Sequence, residues 1–287
     1  MKTKHGKQQA TASIIPIDYL VIGHIACDLT PDGCAVGGTV AYAGRAAHIL
    51  GCHTAVLTSA HADYDLVDAL PGIDIHCLAT DRSTTFANRY TAEGRVQTIH
   101  GVAARLTAAH IPAAWQRAAI VHLGPIANEI DPAMMHLFSN SLIGLTPQGW
   151  MRQWDANGRV YAQDWQAARA YLPLAAAVII SEEDLLNDAM LAQYRRWSRL
   201  LVLTQGYRGC TVFCGDEIRQ FDAPHVPEVE FTGAGDIFAA AYLVRLWQTD
   251  GNPWESARFA NEIAAASVTQ QTLAGKMEHI RQQWGQS

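Results

Sequence analysis

Tyr19-Leu-Val-Ile-Gly23 is a short apolar run closed by glycine, the form taken by a fully buried strand of a parallel sheet. Beyond it, Val36-Gly37-Gly38-Thr39 leads into Val40, Ala43, Ala47 and Leu50, apolar positions at helical spacing that stop at Gly51. Thr54-Ala-Val-Leu-Thr58 predicts the next strand, so the chain opens with the β/α alternation of doubly wound folds. The pattern then changes. Phe86-Ala-Asn-Arg-Tyr90 and Arg95-Val-Gln-Thr-Ile-His100 alternate across Glu93-Gly94 and predict a β-hairpin, an excursion from the main sheet of the kind that often covers a site. Further strands are predicted at 119–123, 141–145, 177–180, 200–204 and 209–213, with helix-like stretches between most of them. Ile237 to Trp247 is apolar almost all round, as a buried helix is, and a last helix is predicted from about Trp254 to Val268, followed by a polar tail.

Composition narrows the class. The 287 residues are 49% hydrophobic and 17% charged, enough for a large core. A net charge of −6 and the absence of a basic run after residue 7 argue against a nucleic-acid face, because phosphate backbones are held by clustered Lys and Arg. Every apolar run is interrupted short of the ~18 residues that span a bilayer. Residues 1–17 lack the apolar stretch of a signal peptide and read as a disordered leader, with one domain over 18–287. The six cysteines, at 27, 34, 52, 77, 210 and 214, include no Cys-x-x-Cys pair and read as buried free thiols in a reducing compartment, which points to the cytoplasm.

The chemistry concentrates at Thr232-Gly233-Ala234-Gly235-Asp236, at the entry to the buried helix. Small residues there leave backbone N–H groups without intrahelical partners, and the helix dipole favours an anion against them. An Asp beside an anion site makes sense if it meets a neutral hydroxyl and takes its proton while the amides stabilise a transferring phosphoryl group. The bland reading is a Gly-rich helix start with Asp near the cap. No Gly-x-x-x-x-Gly-Lys-Ser/Thr run and no Gly-x-Gly-x-x-Gly run competes with it.

Glu230-Phe231-Thr232-Gly233-Ala234-Gly235-Asp236 running into an apolar helix, preceded far upstream by Gly37-Gly38 heading another, resembles the two signatures of the ribokinase-like (PfkB) carbohydrate kinases. The resemblance runs from about Tyr19 to Val268. It implies a three-layer α/β/α fold with a mostly parallel central sheet and a small β lid formed mainly by about 84–100 and part of 24–36. It also implies an ATP-dependent kinase with Mg2+, a monovalent cation being a further candidate cofactor. Asp236 would be the base, with the Gly233, Ala234, Gly235 and Asp236 amides as the anion hole. Asp28, Gly37 and Gly38 would bind substrate, Asp28 because a carboxylate accepts two hydroxyl donors. Tyr42 stands where the family usually has Asn. Gln148 and Arg152 occupy the place of a mid-chain Asp-x-Asn-x-x-Arg segment. Ser181-Glu182-Glu183-Asp184 replaces Asn-x-x-Glu, so that Glu183 and Asp184 are the candidate magnesium carboxylates, with Glu182 not separable from them. Thr204, Gly206 and Gly209 resemble the nucleotide loop, and Asn261 the helix bordering the adenine.

Each residue has an ordinary alternative: a solvated or capping Asp28, a core-facing Tyr42, a surface Arg152. His24, His100 and His122 show no metal spacing and read as structural. The segments 85–97, 122–125 and 146–149 resemble the branch that includes myo-inositol kinases. A cyclic polyol or sugar is therefore the first expectation for the acceptor, with a nucleoside stacked on Tyr42, Phe86 and Tyr90 as the runner-up and a non-catalytic binding relative as the rival. A homodimer through the lid is a candidate assembly.

Overall fold

The computed structural model describes residues 16–31, 33–91 and 94–285. The predicted leader lies outside them up to residue 15, as does part of the Glu93-Gly94 turn.

Six parallel strands run inward from one edge of a nine-stranded sheet: β1 (Tyr19–Ile22), β4 (Thr54–His61), β5 (Asp74–Thr80), β8 (Ile120–Leu123), β9 (Leu142–Leu145) and β12 (Ala177–Ser181), with β5 at that edge. The sheet continues through β13 (Leu200–Thr204), parallel to β12, into the antiparallel pair β14 (Cys210–Cys214) and β15 (Glu217–Phe221), giving the order β15-β14-β13-β12-β9-β8-β1-β4-β5. Both faces of the central strands are buried, as the continuous apolar runs predict, while at the ends β5 is partly and β15 largely exposed. Tyr19 and Val21 of β1 enter one core while Leu20 and Ile22 enter the other. The first core is closed by α1 (Thr39–Ile49), α5 (Ala234–Gln248), α6 (Pro253–Val268) and α7 (Leu273–Trp284). The second lies under 3₁₀ turns, α3 (Ala168–Tyr171) and α4 (Asp188–Trp197). The remaining helix, α2 (Leu66–Ala69), is a single turn.

A second sheet, order β3-β2-β6-β7, is built from β2 (Ala26–Thr30), β3 (Gly33–Gly37), β6 (Thr84–Thr91) and β7 (Gly94–Gly101). The hairpin β10 (Arg152–Trp154) and β11 (Val160–Ala162) abuts β7 through Ile99, whose N–H donates to the Gly158 carbonyl. Its own small core holds Ala26, Phe86, Ile99, Ile126 and Ala127.

Two expectations are corrected. The stretch after Val268 is no tail: Thr272 caps α7, and Met277 and Ile280 are buried. Its apolar positions are few among polar ones, so the helix shows in sequence only once its partner is known. Nor are all the cysteines free thiols. Cys27 and Cys34, brought opposite by the antiparallel β2–β3 ladder, are joined in a disulfide, while Cys52 and Cys210 are buried and free. Strands β5, β10, β11 and β15 carry no period-2 signal strong enough to be predicted.

Candidate active site

The loops following β1, β8, β9, β12 and β13 open on one edge of the sheet, the carboxyl edge where open α/β sheets bind ligands. There they enclose a cavity of about 840 Å³, roofed by Asp28, Phe86 and Gln97 and floored by Thr232 to Asp236.

Asp236 occupies the first turn of α5, behind Gly233 in the left-handed region at φ 77°. A Cβ on Gly233 would stand 2.1 Å from the Tyr42 ring, so glycine is required twice, for its dihedral and for the close approach of the ring. Ala234 donates to the Phe231 carbonyl, which leaves the N–H groups of Gly235 and Asp236 as the helix-start donors without intrahelical acceptors. Nothing lies within 4 Å of a Cβ position on Gly235, so the cavity reaches its backbone. The predicted anion hole is thus narrower than four amides.

Thr39 Oγ1 donates to Asp236 Oδ1 at 2.7 Å and fixes the carboxylate. Desolvation pushes the Asp236 pKa up to about 6, with Asp184 and Asp28 adding; the Thr39 hydrogen bond and the Arg152 charge oppose it. Arg152, on β10, therefore acts on the same carboxylate that the sequence picks as the base.

Asp28 lies on β2, and its carboxylate rests directly over Gly37: a Cβ there would meet Asp28 Oδ2 at 2.2 Å. The Gly-Gly pair is explained by packing of this carboxylate and, at Gly38, by a positive φ and close approach to the His24 carbonyl. Asn88 Nδ2 donates to Asp28 Oδ1 at 3.4 Å, and Gln97 Nε2 to Asn88 Oδ1 at 3.0 Å. This amide chain across β6 and β7 is a part of the site that sequence reasoning did not assign. Its only signal is two amides at facing hairpin positions.

Several predicted residues line the cavity in unexpected ways. Tyr42 is nearly buried against Gly233, so its ring is engaged in the floor. Gln148 Nε2 donates to Asp184 Oδ1 at 3.0 Å and orients that carboxylate. Glu182 pairs with Arg208, which separates it from Glu183 and Asp184, both on the cavity wall. Thr204, Gly206 and Gly209 all face the cavity, and a Cβ on Gly209 would also fall 2.0 Å from the Phe221 carbonyl, so that glycine serves the approach of β15 as well. Asn261 is buried and gives its amide to the same carbonyl at 2.9 Å, tying α6 to β15. Ala264, Ala265 and Val268 continue the wall, facing Pro224 and Val226.

Among the described residues no group of three or more His, Cys, Asp or Glu is placed to hold a metal ion. Two carboxylates with one amide do not make a protein cage; they suit magnesium held largely through water and donor phosphates. Nor, among the described residues, is any helix long and apolar enough to cross a membrane.

Residues 156–280 match the model of the pfkB family carbohydrate kinases. Fructokinase-1 of Zea mays is 32% identical over 89 residues, an alignment spanning 29% of this chain and 28% of that protein. A solved pyrophosphate-dependent kinase of the ribokinase family, complexed with a pyrophosphate analog and myo-inositol, superposes with TM-score 0.77 at 20% identity, covering 91% of this chain and 98% of its own. The Arabidopsis thaliana ribokinase complexed with ribose and ATP gives 0.68 at 16% identity, covering 93% and 99%. The fold expected from the two sequence signatures is the fold observed.

Proposed function

As a ribokinase-fold chain whose residues 156–280 match the pfkB carbohydrate kinases, we propose that this protein is a phosphotransferase that moves the γ-phosphate of ATP to a hydroxyl of a sugar or cyclic polyol. The observation that carries the reading is the pairing of Asp236, held by Thr39 at the start of α5, with Asp28 across one cavity. A substrate hydroxyl between them gives its proton to Asp236, whose pKa near 6 leaves it ionised at neutral pH and close to the optimum for a base. Asp28, steadied by Asn88, accepts from neighbouring hydroxyls of the same ring. The Gly235 and Asp236 amides and Arg152 face the charge on the transferring group. Magnesium beside Glu183 and Asp184 would neutralise phosphate charge in the donor. The sheet β3-β2-β6-β7 acts as the lid that excludes water.

The structural relatives include pyrophosphate-dependent kinases, and the lining of this cavity bears on the choice of donor. Among the described residues lining the cavity there is one arginine and no lysine, against Asp28, Glu183, Asp184, Glu228 and Asp236. A bare pyrophosphate has only its charges to be held by. The cavity instead extends past Thr204 to an apolar wall of Val226, Ala264, Ala265 and Val268, suited to a nucleoside. On the acceptor side, Tyr42 packs against Gly233 and Phe86 is largely buried, although both line the cavity; the Tyr90 side chain lies outside the described residues, and a nucleoside stacked on these rings is the second reading.

The test is phosphoryl transfer measured with Mg·ATP and with Mg·pyrophosphate against a panel of polyols, sugars and nucleosides. ATP-dependent turnover of a polyol or sugar is expected. Turnover with pyrophosphate alone would remove the donor assignment, and binding without turnover under either donor would make the protein a non-catalytic relative.

A further inference from the structure

Tyr19 and His122 are fully buried and unused by the mechanism above, yet they reach the cavity through a third residue. Tyr19 Oη lies 2.7 Å from His122 Nδ1, and His122 Nε2 lies 2.9 Å from Thr146 Oγ1. Tyr19 is on β1, His122 on β8, and Thr146 directly follows β9, so the chain of bonds runs across three adjacent strands toward their carboxyl ends. Thr146 is half-buried and lines the cavity beside Thr39: a Cβ on Gly124 would meet Thr39 Cγ2 at 2.3 Å and Thr146 Oγ1 at 3.2 Å. Thr146 therefore stands next to the residue that holds the base.

The direction of each bond follows from what each atom can do. Burial lowers the His122 pKa to about 3, so the ring is neutral and has one N–H. The phenol has a hydrogen to place in apolar surroundings, and Nδ1 is the acceptor it faces; the other tautomer would leave that hydrogen buried and unpaired. Nδ1 then carries the lone pair and Nε2 the hydrogen, which Nε2 donates to Thr146 Oγ1. A hydroxyl that accepts there has its own hydrogen left, and the open side is the cavity.

We propose that Thr146 is a specificity residue of this site, its hydroxyl fixed by Tyr19 and His122 as a hydrogen-bond donor to an acceptor oxygen of the bound sugar or polyol. The proposal rests on the phosphotransferase reading for the ligand class. It adds a hydroxyl donor beside the base, close to the acceptors Asp28 and Asp236, so the pocket reads the orientation of a hydroxyl or ring oxygen as well as its presence.

Long-range 1H–15N correlation of labelled protein reads the His122 ring without any substrate. The expected result is a neutral, Nε2-protonated ring from pH 5 to 8 that becomes a tautomer mixture in Tyr19→Phe. With whichever panel alcohol the parent phosphorylates, Thr146→Val is expected to raise KM about 5- to 10-fold, the loss of one hydrogen bond, with kcat within about threefold. Thr146→Ser is expected to stay within about twofold of the parent. An Nδ1-protonated ring, or a Thr146→Val KM within twofold of the parent, overturns the proposal. If the parent turns over no alcohol, the function proposed above fails instead; the ring tautomer and calorimetric titration of Thr146→Val with the same alcohols then decide this one.

Discussion

Asp236→Asn separates the chemistry of the site from its stability. Burial raises the carboxyl from 3.8 to about 6, which at ~1.4 kcal/mol per tenfold change in proton affinity puts roughly 3 kcal/mol of strain into the ionised folded state at neutral pH. Contact with cavity water reduces that to about 1–2 kcal/mol. The sign follows from the raised pKa: the protonated group favours the fold below pH 4, and that contribution is lost as pH rises through 6. Asparagine is neutral throughout and its amide oxygen can still accept from Thr39 Oγ1, so the variant keeps the bond and sheds the strain. Thermal unfolding of parent and variant, followed side by side from pH 4 to 8, should show the variant melting about 2–6 °C higher at pH 8. The two should converge toward pH 4. Phosphoryl transfer should fall at least ~10²-fold, the usual contribution of a general base. A difference in melting that does not depend on pH, or a variant less stable than the parent at pH 8, would refute the electrostatic account. Turnover within tenfold of the parent would refute the catalytic one.

Three further outcomes follow from the same geometry. Asp28→Ala should raise KM for the acceptor alcohol by roughly 10- to 100-fold while leaving KM for the donor nearly unchanged, since hydrogen bonds to a charged acceptor are worth about 1.5–3 kcal/mol; initial-rate kinetics in both substrates checks this. Glu129, buried between the loops, accepts from the N–H groups of His24, Ile126 and Ala127, so Glu129→Gln turns an NH₂ toward donors and should cost about 1–3 kcal/mol in denaturant unfolding. Lys276, buried on α7, donates to the Glu230 carbonyl at the root of the Gly233–Asp236 segment; Lys276→Met should cost about 1–3 kcal/mol and lower kcat, and a variant of parental stability would show the contact to be idle.

The sequence determined the parts that depend on neighbours along the chain. The buried strands β1, β8, β9, β12 and β13 are apolar runs because a sheet covered on both faces asks nothing else of them, and α5 is apolar all round for the same reason. Gly233 to Asp236 was legible because a helix start, a left-handed glycine and a carboxylate in its first turn are local facts. Tertiary structure decided everything that needed two distant segments to meet. It set Tyr42 against Gly233 and Gln148 onto Asp184, turned Asn261 and Gly209 toward β15, and gave α7 a surface to bury. It also aligned Tyr19, His122 and Thr146, which lie 103 and 24 residues apart, because β1, β8 and β9 are neighbours in the sheet. A hydrogen bond needs atoms within about 3 Å, and no spacing along a chain encodes which strand will lie beside which.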